Sequence, residues 1–292
     1  MATSGRQPLL VHRDHSRALG QQKYVYVVVS RRSKGVSVGI NLNPDKVCNF
    51  DCIYCQVDRS TPGTVRQVDI PELIEELSAS LDFVRTRAMF ELERFRETPP
   101  ELRRLNDIAF SGDGEPTTCP QFLEVVEAVA AVRRRLFQGQ CSPKLVLITN
   151  ATRFHHPRVQ SALEVLDAND GEIWAKLDAG SEEYYRRIER TSIPFNLVLN
   201  NITAAAKRRP LIIQAMFMRI DGQGPPSAEL EAFCQRLNDI TLAGGAIRLV
   251  QVYTVSRRPT EAYVTPLHDT EIDDIVALVQ QRTGLAAEPF YQ

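Results

Sequence analysis

A partial barrel of the (β/α)6 type, with mainly parallel strands, is the fold class that the sequence predicts. Three observations lead there. Short apolar runs alternate with amphipathic helical stretches from residue 107 to residue 282, and strands alternating with helices imply a parallel α/β sheet with right-handed crossovers. About six such units fit, too few for a closed eight-stranded barrel. Polar or glycine-rich segments follow the strands one after another, at the carboxyl ends where parallel α/β folds carry their chemistry.

Residues 1–22 are polar and contain Arg and His, and they read as a flexible tail ahead of one domain over 23–292. An apolar run at 24–29 leads to the first barrel strand at 36–42. The segment 48–55 holds three cysteines and reads as a loop, because Pro44 before it and Pro62-Gly63 after it are turn signals. Residues 71–105 carry Glu, Leu, Arg and Phe at helical spacing and predict one or two helices, interrupted at Pro99-Pro100. The alternation then runs strand 107–110, helix 122–136, strand 145–149, helix 157–166, strand 173–177, helices 182–190 and 196–208, strand 211–218, helix 227–240, strand 247–255 and helix 269–282. The rim so formed gathers the cysteine loop, Ser111 to Thr117, Asn150, Asp178-Ala179-Gly180, Arg219 to Gly222, and Ser256 to Glu261.

Composition narrows the function classes. The 35 basic residues nearly balance the 36 acidic ones, so no overall positive field marks a nucleic-acid binder. The basic runs Arg133-Arg134-Arg135 and Lys207-Arg208-Arg209 fall near predicted helix ends, where cations suit the helix dipole. No stretch approaches the ~18 apolar residues that cross a bilayer, and the first residues lack the apolar core of a secretory signal. A cytoplasmic protein with no membrane partner is expected. Three of the six cysteines crowd into residues 48–55, while Cys119, Cys141 and Cys234 are scattered. That distribution suits metal binding in a reducing compartment better than a disulfide framework.

The crowded segment reads Cys48-Asn-Phe-Asp-Cys52-Ile-Tyr-Cys55, a C-x₃-C-x₂-C pattern. Thiolates are the usual protein ligands of a [4Fe–4S] cubane. Three of them hold three corners, and one iron keeps the open position that separates catalytic from structural metal sites. Two other readings stand beside it. Structural zinc needs a fourth ligand, and His12 and His15 lie far upstream; a redox pair of Cys52 and Cys55 leaves Cys48 without a purpose.

The spacing resembles the signature of the radical S-adenosylmethionine (SAM) superfamily. The resemblance implies an open iron that chelates the amino and carboxylate groups of SAM, and it places Tyr54 beside the adenine. Gly112-Asp113-Gly114-Glu115-Pro116 resembles the Gly-Gly-Glu element of that family, with Asp113 where a glycine is usual. Glycines let backbone approach a ligand closely, and carboxylates and carbonyls accept from an ammonium. Gly112, Asp113, Gly114 and Glu115 are therefore expected to bind SAM, and Asn150 is similar to a SAM-contacting rim residue of relatives. Ser30 to Leu42, Cys55 to Arg59, Lys176 to Ala179 and Gln251 to Pro259 resemble small radical SAM proteins related to the wybutosine-forming tRNA enzymes. The extra upstream cysteines of those tRNA enzymes have no counterpart before Cys48, and Cys119, Cys141 and Cys234 have the wrong spacing for a second compact cluster site.

Side chains alternate faces along a strand. Ile173, Ala175 and Leu177 are expected to pack on helices, and Trp174, Lys176 and Asp178 to face the barrel interior. The same argument selects Gln214, Gln251 and Tyr253. Lys176, Asp178, Gln214 and Tyr253 are thus expected at the substrate, against the alternative of an internal ion pair that only shapes the barrel. The sequence points to an enzyme that uses a [4Fe–4S] cluster on Cys48, Cys52 and Cys55 to cleave SAM and generate a 5′-deoxyadenosyl radical. Its substrate is a small molecule or a tRNA, and its electrons come from a donor such as flavodoxin or ferredoxin. A tRNA-modifying enzyme, or a non-catalytic iron–sulfur carrier, is the alternative.

Overall fold

Valine-rich segments, whose β-branched side chains suit a pleated surface, open the fold. A computed structural model of the chain describes residues 22–61, 63, 65, 67–138 and 142–291. Val25–Ser30 (β1) and Gly35–Ile40 (β2) pair as an antiparallel hairpin. After the cysteine segment comes Ile70–Arg85 (α1), capped by Asp69, whose carboxylate accepts from the Glu72 amide at 3.0 Å. Leu73, Leu77, Leu81 and Val84 recur at helical spacing and are buried, each worth about 2 kcal/mol of apolar burial. The rest of the stretch expected to be helical breaks into short turns and the four-residue Glu93–Arg96 (α2), because Pro99 and Pro100 cannot continue a helix.

The alternation then proceeds as Leu105–Phe110 (β3), Phe122–Leu136 (α3), Lys144–Thr149 (β4), Pro157–Asp167 (α4), Glu172–Lys176 (β5), Glu182–Glu189 (α5) and Phe195–Arg208 (α6). It closes with Leu211–Met216 (β6), Arg219–Ile220 (β7), Ser227–Leu242 (α7), Ile247–Tyr253 (β8), Val264–Thr265 (β9), Asp269–Thr283 (α8) and Ala287–Phe290 (β10). The main sheet has eight strands in the order β1-β2-β3-β4-β5-β6-β8-β10. Every neighbouring pair except β1–β2 is parallel. The six expected barrel strands are thus present, curled into a partial barrel. Two further strands flank them, β1 on one edge and β10 on the other. β7 and β9 form a separate two-residue antiparallel ladder.

The curl brings the two edges of the sheet toward each other. Lys34 in the β1–β2 turn reaches Glu288 of β10 at 2.8 Å, and the Arg32 guanidinium lies 4.7 Å from the centroid of the Tyr253 ring. The outer edge of β1 is occupied by side chains. Glu76 of α1 accepts from the amides of Lys23, Tyr24 and Val25 at 2.8, 2.9 and 3.0 Å, and Arg94 donates to the Val27 carbonyl at 3.3 Å.

Faces sort as the alternation predicts. Ile173, Ala175 and Leu177 join the large core between sheet and helices, while Trp174 packs with Ala109, Val146 and Ile212 in a small cluster on the opposite, inner face. The basic runs serve the helix ends. Arg133 is buried and donates to the Pro143 carbonyl at 2.6 Å, and Arg209 meets Asp167 at 2.6 Å. Cys119 and Cys234 are buried in separate surroundings, the first beside Glu124 and the second in α7 beside Glu231. Cys141, Pro62, His12, His15 and the tail expected before Gln22 lie outside the described residues. Among the described residues no helix is long and apolar enough to cross a membrane.

Candidate active site

The cysteine loop is pinned by its apolar residues and its backbone. Phe50, Ile53 and Tyr54 are buried, whereas Cys48, Cys52 and Cys55 between them are half-buried and carry free thiols. The amides of Asp51 and Ile53 donate to the carbonyls of Glu189 and Ile188, at 3.0 and 2.8 Å, so the C-terminus of α5 holds the loop. Phe50 meets the edge of Tyr185 on the same helix, with centroids 5.8 Å apart. Arg59 brings its guanidinium to 3.5 Å from Cys55 Sγ and interacts electrostatically with all three sulfurs. Burial pushes the Cys48 thiol up, and it pushes the Cys52 thiol up further with the help of the Glu189 carboxylate.

Among the described residues no three Cys, His, Asp or Glu side chains crowd together as the ligands of one ion do. That disfavours a zinc site, which needs its ligands on a single tetrahedron. A cubane fits the donor set better, because each thiolate takes a different iron. Unpaired thiols, half-buried on one loop beside one guanidinium, suit an anionic iron–sulfur cluster.

The glycine–glutamate loop packs directly on the cysteine side. A Cβ on Gly112 would stand 2.5 Å from Asn41 Oδ1, and one on Gly114 2.2 Å from the Val47 carbonyl. Both positions therefore exclude side chains for close packing within the protein. Asn41 at the end of β2 donates to Asp113 Oδ2 at 2.6 Å and accepts from the Asp113 amide at 3.1 Å. Glu115 is buried, and its carboxylate accepts from the Thr117 amide at 3.1 Å, Thr117 Oγ1 at 2.5 Å, Thr149 Oγ1 at 2.7 Å and the Asn150 amide at 2.7 Å. Burial pushes its pKa up and these four donors pull it back. Glu115 thus ties the loop after β3 to the end of β4. Asn150 in turn donates to Asn49 Oδ1 at 2.8 Å, which joins the end of β4 to the cysteine loop.

On the other side of the loop, a buried network runs inward. Tyr54 Oη donates to Asp178 Oδ2 at 2.6 Å and lies 3.0 Å from Glu189 Oε1. Asp178 Oδ2 is 3.0 Å from Lys176 Nζ, and Lys176 donates to Tyr253 Oη at 2.9 Å. Asp178 Oδ1 accepts from the Met216 amide at 2.7 Å. Burial opposes the Lys176 charge, but Asp178, with Tyr253 and Glu189, holds its pKa above the ordinary value. Glu189 is the reverse case. Burial and the Asp178 carboxylate push it up to about 8, and it is also 2.7 Å from Cys52 Sγ. Lys176, Asp178, Tyr253 and Tyr54, expected in two different roles, are therefore one connected set.

The barrel interior encloses a cavity of about 230 Å³. Tyr26, Ser37, Asp107 and Ser111 bound it on the β1–β3 side, Trp174, Lys176 and Gln214 on the β5–β6 side, and Arg32, Tyr253 and Arg257 near the seam. Gln214 faces it as expected, fully buried, with its Nε2 donating to Gln251 Oε1 at 2.8 Å.

Sequence reasoning missed Glu189, Arg59, Asn41, Asn49 and Asp107. Glu189 carried a signal: it stands four residues after Tyr185 and one after Ile188, on the apolar face of α5. A carboxylate at such a position is buried and needs partners. Arg59 and Asn49 are marked only by nearness to the cysteines.

A family model described as the radical SAM superfamily matches residues 42–222 of the chain, from just before the cysteine loop to just past β7. A UPF0026 protein of Helicobacter pylori (strain ATCC 700392 / 26695) is 25% identical over 223 residues, covering 74% of this chain and 62% of that protein. A UPF0026 protein of Methanocaldococcus jannaschii is 25% identical over 261 residues, covering 88% of this chain and 71% of that one. The chain thus spans less than two thirds of the length of the Helicobacter relative. Among solved structures, a radical SAM methyltransferase from Sphaerobacter thermophilus superposes with a TM-score of 0.62 at 14% identity, over 91% of this chain and 69% of that one. Streptococcus suis SuiB bound to S-adenosylmethionine gives 0.56 at 11% identity, over 89% and 52%. Both share the partial-barrel fold.

Proposed function

The chain belongs to the radical SAM superfamily, and from that premise we propose that it is an enzyme carrying one [4Fe–4S] cluster on Cys48, Cys52 and Cys55. The observation that carries the reading is the trio of free, half-buried thiols on one pinned loop, with Arg59 at 3.5 Å from Cys55 Sγ. When bound, the cluster would supply the electron that splits SAM into methionine and a 5′-deoxyadenosyl radical able to take a hydrogen atom from the substrate. The three thiols lose their protons to hold iron, and Arg59 offsets the negative charge that remains.

SAM would lie along the rim between the cysteine loop and the glycine–glutamate loop. Carbonyls of Gly112, Asp113 and Gly114 accept from its ammonium, and Asn150 borders it. Glu115 acts by fixing the shape of that loop, since its own oxygens are taken. The Tyr54 ring borders the adenine side while its hydroxyl is held by Asp178. Lys176 keeps its proton and fixes the Tyr253 hydroxyl at the inner end of the network. The cavity below, with Gln214 in its wall, takes the substrate and keeps water from the radical. A small reductant protein such as flavodoxin or ferredoxin delivers the electron.

Anaerobically reconstituted protein, reduced with dithionite and given SAM, should release 5′-deoxyadenosine. Cys52→Ala should lose both iron and release. Full iron content together with undiminished release in that variant would overturn the assignment.

A further inference from the structure

Three arginines line the barrel cavity, Arg31 and Arg32 from one part of the chain and Arg257 from another. Arg32, in the β1–β2 turn, crosses the seam to the face of Tyr253, 4.7 Å from the ring centroid. Arg257, four residues after β8, lines the same cavity. The carboxylates that act on them do so through space, Asp107 on Arg32 and Asp113 on Arg257. Burial pushes the Arg257 guanidinium down from its ordinary value, and the like charge of Arg32 works in the same direction. Among the lining residues Asp107 is the one carboxylate, and it is buried on Ser37 Oγ with a pKa pushed up to about 6 by its burial. Lys176 is already balanced by Asp178. The lining therefore carries more positive than negative charge, on half-buried guanidiniums, which favours the entry of an anion.

A second observation is independent of charge. Gln214 is fully buried, and its Oε1 has no hydrogen-bond partner. Exchanging O and N in both amides of the Gln214–Gln251 pair keeps that pair intact and turns the open position into a donor. Either way a polar atom without a partner is buried in the wall of the cavity, at a cost of about 1–3 kcal/mol. Trp174, Ile148 and Met216 supply apolar wall between these polar points.

We propose that the cavity is a substrate site for a small organic anion, whose carboxylate or phosphate is held between Arg32 and Arg257 and whose polar body meets Gln214. Guanidiniums match both oxyanions with paired hydrogen bonds. The cavity's 230 Å³ is below the ~300–1,000 Å³ of sites for drug-sized ligands, which suits a small metabolite. That the anion is a substrate rests on the radical SAM reading; that it binds does not.

The chain contains one tryptophan, and Trp174 lines the cavity, so its emission reports occupancy. Reconstituted holoenzyme is titrated with inorganic phosphate, with 3-hydroxybutyrate and with the uncharged 3-hydroxybutyramide, and each titration is repeated by calorimetry. Saturable binding of phosphate or of the carboxylate, with none of the amide, is expected, and the tighter of the two identifies the group the site selects. Arg32→Gln and Arg257→Gln should each weaken the anion about tenfold or more, as loss of a charge-assisted hydrogen bond does, with Arg32→Lys intermediate. Equal binding of acid and amide, no saturable anion binding, or variants that bind as the wild type does would overturn the proposal; the first two need no mutant to fold. SAM affinity in the same variants tests the other source of a carboxylate. Weakened SAM with unchanged probe binding would assign the arginines to SAM and also overturn it. Loss of the radical SAM reading shows separately, as wild-type protein that neither binds SAM nor releases 5′-deoxyadenosine.

Discussion

On the rim, Glu115 accepts four hydrogen bonds and leaves no oxygen open; inside the barrel, Gln214 Oε1 accepts none. The contrast extends to the neighbours. Asn41, Asn49, Asn150 and Asp113 are all engaged in joining the rim loops to one another. In the cavity, Arg32 and Arg257 meet the carboxylates of Asp107 and Asp113 through space and without a direct hydrogen bond between them. A rim that is complete in itself is pre-organised for partners of constant shape, and an interior with open groups is organised around a partner still to come.

Breaking the rim should therefore cost the most stability. Glu115→Ala strands two buried amides and two hydroxyls at once, and we expect a loss of about 5 kcal/mol, read as a lower urea midpoint with unchanged slope. A loss below about 1 kcal/mol would mean that the rim is no better satisfied than the interior. The network between the two regions comes next. Asp178→Asn leaves the Lys176 ammonium without its counter-charge and should cost about 4 kcal/mol. Adding Lys176→Met should recover most of that loss, because the stranded charge is gone; no recovery would show that Asp178 acts through the Met216 amide instead.

The interior should show its incompleteness in pH. Burial raises the Asp107 carboxyl from 3.8 to about 6. The folded chain then binds this proton more tightly than the unfolded chain does, so the contribution is fullest below pH 4 and is lost as pH rises through 6. That window corresponds to roughly 2 to 3 kcal/mol, and Asp107→Asn should flatten it in thermal melts at graded pH. Smallest of all is the double replacement of Gln214 and Gln251 by Leu, which removes a hydrogen-bonded pair together with its orphan atom. It should change stability by less than about 1 kcal/mol in either direction, while anion affinity falls. A large loss would place the pair among the structural groups of the rim.

Much of this architecture was legible from local pattern. Alternation of strand and helix gave six barrel strands, and the two-residue period placed Trp174 and Lys176 inside and Ile173, Ala175 and Leu177 outside. What escaped depends on long-range geometry. The partners of Glu115, Thr149 and Asn150, lie at the end of the next strand, 34 and 35 residues away, and nothing local marks them. Arg32 reads as a turn residue until the sheet curls enough to bring Tyr253 under it. β10 has four residues, one of them Pro289, and so carries almost no strand signal; only its place on the edge tolerates the proline.

The treatment of those edges has a consequence for how copies of the chain behave toward one another. Exposed strand edges template intermolecular pairing and aggregation. Here the Glu76 carboxylate already holds three amides at the start of β1, Arg94 holds a carbonyl farther along it, and β10 is short and lacks an amide at Pro289. A half-closed barrel can thus keep its two edge strands at high concentration without zipping onto its neighbour.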